Sequence, residues 1–202
     1  MGLASEGTLG LVLAGGRGTR MGGVDKALIE LCGETLIQRA LRRLGPQVET
    51  LAIASGGDPE RFGVTSCVLP DAVPGFAGPL AGVLAGLDHA ADLGLARVAT
   101  VAVDTPFFPC DLVARLAAAE APVAVAAAQE DGRLRWHGTC ALWTVALRAP
   151  LRAALRDGER TVRRAAERLG AVPVVFPAAC VFFNVNTPED LSQARDRAAE
   201  ER

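Results

Sequence analysis

Aromatic side chains are scarce in this 202-residue chain: Phe, Trp and Tyr make up 4% of it, although half of its residues are hydrophobic. Its core must therefore be built from Ala, Val and Leu, as helices packed on a sheet often are. A surplus of basic charge is also missing. The 21 Lys and Arg set against 23 Asp and Glu leave a net charge of -2. Without the basic excess that grips a nucleic-acid backbone, a nucleotide is a better candidate ligand than a polynucleotide. Long hydrophobic runs are absent too: Arg or Asp interrupts every apolar stretch before it reaches membrane-spanning length, and the opening MGLASEGTLG lacks the basic start and apolar stretch of a secretory signal. A cytoplasmic protein with neither membrane nor nucleic-acid partner is expected. The five cysteines, Cys32, Cys67, Cys110, Cys140 and Cys180, form no C-x-x-C pair, and only His89 and His137 could assist them. This argues against a zinc site and for reduced, mostly structural thiols.

What is present alternates. The runs TLGLVLA, TLAIA, VTSCVL and RVATVAV are short, aliphatic and β-branched, without strict polar alternation, which fits strands covered on both faces. Between them, Leu36, Ile37, Ala40, Leu41 and Leu44 share a helical stripe, as do Leu80, Val83, Leu84 and Leu87. Such alternation predicts βαβ units with right-handed crossovers. The second half reads as strands at PVAVAAA and TCALW, helices at PLRAALRDG and ERTVRRAAERLG, and short strands at VPVVF and VFFNV. A final helix is marked by Thr187 as N-cap, Pro188 in the first helical position, and Glu189 and Asp190 in the first turn. The length suits one domain, residues 1–202. The expected architecture is α/β: a three-layer α/β/α, Rossmann-like fold on a mostly parallel sheet, with ligands at the carboxyl ends of the strands.

The chemistry-bearing segments fall at those ends. LAGGRGTRMGG, residues 13–23, puts five glycines and two arginines directly after the first apolar run. It is neither a Walker A loop nor a complete G-x-G-x-x-G fingerprint. Backbone N–H groups around Gly15, Gly16 and Gly18, with Arg20 and Lys26 close behind, could cradle a triphosphate, although a turn with solvated arginines would have the same sequence. Lys26 is either a compact charge that follows a phosphate during transfer or a surface lysine. Asp104 ends the run VAVD, where it would face the ligand crevice and hold Mg²⁺ through oxygen; it lies too early to cap a helix starting near Pro109. Asp71 follows another strand and precedes Gly78-Pro79-Leu80, a helix start able to receive an anion or a ribose oxygen, but an ordinary turn aspartate looks alike. Asn184 and Asn186, two apart, would point to the same side of an extended strand, able to read a ligand or hold a metal-bound water; Asn186 is equally the residue before a cap.

Taken in order, LAGGRGTRMGGVDKALIEL, PD before GPLAG, DTPFFPCDL, HGTCALW, GERTVRR and FNVNTPEDL resemble the molybdenum cofactor guanylyltransferases, the MobA family, over nearly the whole chain. The resemblance implies a nucleotidyltransferase that moves GMP from GTP to the terminal phosphate of molybdenum-bound molybdopterin, releasing pyrophosphate and forming the guanine dinucleotide cofactor. It implies Mg²⁺ as cofactor, and molybdoenzyme chaperones or client enzymes as onward partners. By position, Leu13, Ala14, Gly15 and Gly16 would lie along the GTP, the first three beside guanine. Lys26 and Asp71 would contact GTP, Arg20 would hold the β and γ phosphates, and Asp104 would bind both GTP and Mg²⁺. Lys26, Asp104 and Arg20 would form the catalytic set in a GTP-binding N-terminal half. Asn184, Asn186 and His137 would lie toward the pterin in the C-terminal half. One departure stands out: the family's Asn-x-Asn at the end of the second strand is replaced by Ala54 and Gly56. The GTP contact of the first Asn is then absent, or falls to Ser55 or a backbone group. GRGTR also suits a sugar-1-phosphate nucleotidyltransferase, but the proline-containing stretch expected after it gives way to MGGVDK. A cytidylyltransferase of the same cofactor pathway typically has LAAG where LAGG stands here. A non-catalytic nucleotide-binding adaptor is the reading from another class, and the joint presence of Lys26 and Asp104 argues against it.

Overall fold

The first apolar run is a strand, β1 (Thr8–Leu13), buried along its whole length. Its side chains alternate between two cores: Leu9, Leu11 and Leu13 enter one, Val12 and the following Ala14 the other. That is why the run lacks polar alternation: both faces are covered. A computed structural model describes residues 6–15, 25–70, 78–177 and 179–200. After β1 come a small antiparallel pair, β2 (Glu30–Leu31) and β3 (Glu34–Thr35), then β4 (Thr50–Ala54), β5 (Cys67–Leu69), β6 (Arg97–Ala102), β7 (Val123–Glu130), β8 (Arg133–Thr144) and β9 (Ala171–Phe176). The α-helices are α1 (Leu36–Leu44), α2 (Pro79–Asp92), α3 (Leu112–Ala117), α4 (Arg148–Arg156), α5 (Val162–Arg168) and α6 (Pro188–Glu200).

The main sheet has seven strands in the order β5-β4-β1-β6-β8-β7-β9. Strands β5, β4, β1 and β6 run parallel, as do β7 and β9, while β8 is antiparallel to both of its neighbours. Helices α1, α3 and α6 contribute Leu36, Ile37, Leu112, Leu116, Ala194 and Ala198 to one core. On the other face, α2, α4 and α5 contribute Leu80, Leu84, Leu151, Leu155, Val162 and Ala165. The three-layer, mostly parallel α/β arrangement is the one expected. The order of strand addition switches sides at β1: the chain passes from β1 to β4 on one side and later returns to β6 on the other, which opens a crevice at their carboxyl ends. Among the described residues no helix is long and apolar enough to cross a membrane.

Three local readings need correction. The expected strand at TCALW is the end of a longer one, because Asp131 and Gly132, with φ of 49° and 73°, make a two-residue turn that pairs β7 with β8 as a hairpin. Both central residues with positive φ are what a type I′ turn demands. VFFNV is not a strand: a 3-10 turn over Ala179–Phe182 is followed by irregular chain, whose tie to the end of β6 is the bond from Val185 N–H to the Asp104 carbonyl, 2.8 Å. Finally, of the four described cysteines only Cys140 is a core residue; Cys67 and Cys110 are exposed.

Candidate active site

At the carboxyl end of β1, Leu13 is buried on the α2 side and Ala14 on the other. Leu13 accepts a hydrogen bond from Val103 N–H at 3.1 Å, and Ala14 N–H donates to the Ala54 carbonyl at 3.0 Å. These two residues are thus available to a ligand chiefly through their backbone. Gly15 is exposed, and a Cβ placed on it would meet nothing within 4 Å among the described residues. Gly16, Arg20 and Asp71 lie outside the described residues.

Lys26 opens a 3-10 turn, Lys26–Leu28, capped by Asp25, whose Oδ1 accepts from Ala27 N–H at 3.0 Å. It is the only lysine of the chain. Its Nζ donates to Asp104 Oδ2 at 2.9 Å and to Asn186 Oδ1 at 2.5 Å. Both charged side chains are about four-fifths buried, at 18% and 22% exposure, so the pair is neither fully solvated nor sealed. Lys26 is therefore not a surface lysine. Asp104 sits in the turn that follows β6 and caps no helix; Asp111 holds the N-cap position of α3.

The irregular C-terminal segment closes over this pair. Asn184 Oδ1 accepts from the Thr105 hydroxyl at 2.7 Å, while Asn186 grips Lys26. The amides address adjacent targets although they do not lie on one face of a strand, as the extended reading has them. The segment is set by α6: Thr187 Oγ1 accepts from Asp190 N–H, and Asp190 Oδ2 accepts from the N–H groups of Asn186 and Thr187. This is the reciprocal logic of a capping box, with Thr187 as the expected N-cap. Asn186 is thus both the residue before the cap and a site residue.

His137 lies farther along. Four residues of β8, 137 to 140, oppose the single Ala126 in a bulge between the Val125–Ala141 and Ala127–Trp136 pairs. The His137 ring stacks on Phe182 at 4.4 Å between centroids, just ahead of the asparagine segment. Its Nε2 stands 3.4 Å from Glu130 Oε1 but makes no hydrogen bond among the described residues. Burial holds its pKa below the ordinary histidine value; Glu130 pulls upward and Arg135 adds to the lowering. Beneath the site, burial pushes the Cys140 thiol up to about 12, so it stays a thiol and is no nucleophile.

Among the described residues no group of three or more His, Cys, Asp or Glu gathers that could hold a metal unaided. A lone Asp104 with amide oxygens nearby is a poor zinc site. It fits Mg²⁺, which prefers oxygen, keeps several waters and takes one or two carboxylates together with substrate phosphates. Ala54, where an asparagine was anticipated from the resemblance, is buried with its Cβ toward α2, and a Cβ on Gly82 would lie 3.0 Å from it. A longer side chain at this position would have to press on α2 or turn into the crevice. Ser55 is also committed, its Oγ donating within 3.4 Å of the Ala14 carbonyl and accepting from Arg61 at 2.6 Å. The bonds among Asp25, Ser55 and Arg61 are not legible in the sequence, where 36 residues separate Asp25 from Arg61.

Residues 10–172 match the MobA-like NTP transferase domain. The chain is 50% identical over 187 residues to a molybdenum cofactor guanylyltransferase of Cereibacter sphaeroides, with 92% of this chain and 94% of that one covered. It is 48% identical over 195 residues to a protein of the same name from Mesorhizobium japonicum, with coverages of 92% and 93%. Its fold is shared by the crystal structure of molybdopterin-guanine dinucleotide biosynthesis protein A from Archaeoglobus fulgidus, at a TM-score of 0.75 and 23% identity, covering 95% of this chain and 99% of that chain. A domain match across most of the chain, relatives with half of the aligned residues in common, and a lysine paired with an aspartate where the strands of a nucleotidyltransferase end place this chain in the MobA-like NTP transferase family.

Proposed function

We infer that this chain is a cytoplasmic, single-domain guanylyltransferase that transfers GMP from GTP to the terminal phosphate of molybdenum-bound molybdopterin and releases pyrophosphate. The observation that carries this reading is the Lys26 ammonium seated between Asp104 and Asn186, where the nucleotide-side strands meet the C-terminal segment. Relatives named molybdenum cofactor guanylyltransferase share half of the aligned sequence.

In the transfer, an oxygen of the acceptor phosphate forms a bond to the α-phosphorus of GTP as the α–β bridging bond breaks. Charge accumulates on the phosphoryl oxygens and on the departing pyrophosphate. An ammonium has three donors. Asp104 and Asn186 take two of them in Lys26, so the charge is pre-oriented and one N–H remains for a phosphate oxygen. Asp104 is the residue that would hold Mg²⁺, which when bound neutralises charge on bridged phosphate oxygens. The exposed backbone at Gly15 leaves room beside the base, while Arg20, Gly16 and Asp71 belong to the GTP side in this reading. Asn184, Asn186 and His137 border the acceptor, and the product passes to molybdoenzyme chaperones or client enzymes.

The test is pyrophosphate release by the purified protein with Mg²⁺, a molybdopterin acceptor, and GTP or CTP as donor. Turnover with GTP that exceeds turnover with CTP is expected. Equal or greater use of CTP would end the guanylyltransferase assignment, and binding of GTP without pyrophosphate release would favour the adaptor.

A further inference from the structure

Arg61 lies in the 3-10 turn Pro59–Phe62 that follows β4, far in sequence from every residue assigned a role above. Four of the five N–H donors of its guanidinium are engaged among the described residues. Nε donates to Asp25 Oδ2 at 2.8 Å, Nη1 to the carbonyls of Gly56 at 2.7 Å and Asp58 at 3.0 Å, and Nη2 to Ser55 Oγ at 2.6 Å. The plane of the fork is fixed by the Phe62 ring, whose centroid is 4.2 Å from the guanidinium carbon. An arginine so occupied is poorly placed to take a ligand, but it can hold backbone segments in register.

What it holds is the base on which Lys26 stands. Asp25 uses its other oxygen to cap the turn that Lys26 opens. Ser55, the second contact of the fork, has the Gly56 carbonyl at 3.2 Å and the Ala14 carbonyl, at the end of β1, at 3.4 Å as alternative acceptors of its one hydroxyl proton. One guanidinium therefore joins the end of β4 and, through one side chain each, the end of β1 and the Lys26 turn. Without it, Asp25 would lose its ion-pair partner beside the only lysine of the chain, and the turn would lose its link to the end of β4, keeping those made by Lys26 and the buried Ala27.

We propose that Arg61 is a positioning residue that sets Lys26 against Asp104, acting through Asp25. The proposal rests on the role given to Lys26 above. Loss of Arg61 lets the Lys26 turn shift, and a displacement of about 1 Å in a positioned group is enough to reduce turnover about 10²-fold. Arg61→Lys keeps the charge but not the fork, so it should recover only part of the loss.

The experiment compares the full-length protein with Arg61→Ala, Arg61→Lys, Asp25→Asn and the Arg61→Ala/Asp25→Asn double variant, each checked for folding by circular dichroism. Pyrophosphate release should fall about 10- to 10²-fold in kcat for Arg61→Ala. Millimolar guanidinium should restore several-fold of it, and methylammonium at the same ionic strength should not. The double variant should be no slower than the slower single one. A second measurement does not depend on turnover: acylation of Lys26 by limiting acetic anhydride, read by mass spectrometry of the one lysine-bearing peptide. Lys26 should react at least about threefold faster in Arg61→Ala once its geometry with Asp104 and Asn186 is loosened. Unchanged labelling overturns the proposal even if kcat falls, and unchanged kcat overturns it even if labelling rises. Additive losses in the double variant overturn the route through Asp25. If the wild-type protein releases no pyrophosphate from GTP while the labelling rates shift as expected, the guanylyltransferase reading falls and the positioning of Lys26 by Arg61 stands. Should Arg61→Ala not fold, Arg61→Lys and Asp25→Asn decide by the same two measurements.

Discussion

Twenty of the 21 basic side chains are arginine, and several described ones act through two nitrogens at once: Arg42 on Glu34, and Arg43 on the carbonyls of Phe107 and Phe108. Against that background a single lysine marks a place where a compact charge is needed. Lys26→Arg should therefore lower kcat by about 10² despite the retained charge, since a planar fork cannot occupy the point between Asp104 and Asn186. Near-normal turnover of a folded Lys26→Arg protein would show that charge alone suffices. Asp104→Asn should cost a similar factor of about 10² in kcat, and a rate unaffected at limiting Mg²⁺ would remove both its metal and its lysine-orienting role. Gly15→Ala gives a cleaner probe. A methyl there meets no atom of the described residues within 4 Å, so stability should hold while the GTP preference over CTP falls in a competition assay; retained selectivity would mean this loop does not read the base. Asp104 is legible in the sequence because it follows an apolar strand that must end at the crevice, and Lys26 because it stands close behind the glycine-arginine stretch and before the apolar ALIEL. The grip of Asn186 on Lys26 is not, because 160 residues lie between them and no local pattern encodes the contact.

Among the elements, β1, β4, β6 and α2 are legible because buried parallel strands and amphipathic helices leave different periods in the chain. The β7–β8 hairpin is written just as locally, in Asp131-Gly132, but the apolar period breaks at RLRWHG, so the first half of β8 is easily passed over. VFFNV misleads for the opposite reason. Its composition is that of a strand, yet its backbone has no ladder to join, and it is shaped by single bonds to Asp104 and Thr105. Element packing also decides position 54. Restoring the amide looks from the resemblance like a gain in GTP affinity, but Ala54 packs against α2 at Gly82. Ala54→Asn should destabilise the fold by about 1–3 kcal/mol through overpacking, without tightening GTP. Thermal unfolding and GTP calorimetry on the one variant test this; a protein of unchanged stability with tighter GTP would mean that the amide turns out of the core and into the crevice.

At the scale of the whole molecule, the last segment returns to the first: Asn184, Val185 and Asn186 bond to Thr105, Asp104 and Lys26, so that in the proposed function the acceptor side would be built onto the nucleotide side. This segment leans on the stack of His137 with Phe182, which in turn meets Phe176 edge-on at 5.3 Å. The stack is therefore where pH should reach the site. His137 is held below its ordinary value of 6.5 chiefly by burial, with Glu130 opposing and Arg135 assisting. A histidine with a lowered folded pKa stabilises the fold fully above the unfolded value and loses that contribution as pH falls through the interval below it, because the unfolded chain then binds the extra proton. Stability should accordingly decline on acidification from just above 6.5 toward the lowered folded value. His137→Phe keeps an aromatic ring on Phe182 but cannot take up a proton, so its Tm should fall less between the same two pH values, and the difference between variant and wild type should vanish when both are compared well above 6.5 after correction for the offset. Parallel pH profiles would show that the imidazole takes up its proton alike in the folded and unfolded chain, the burial being offset by Glu130 at 3.4 Å.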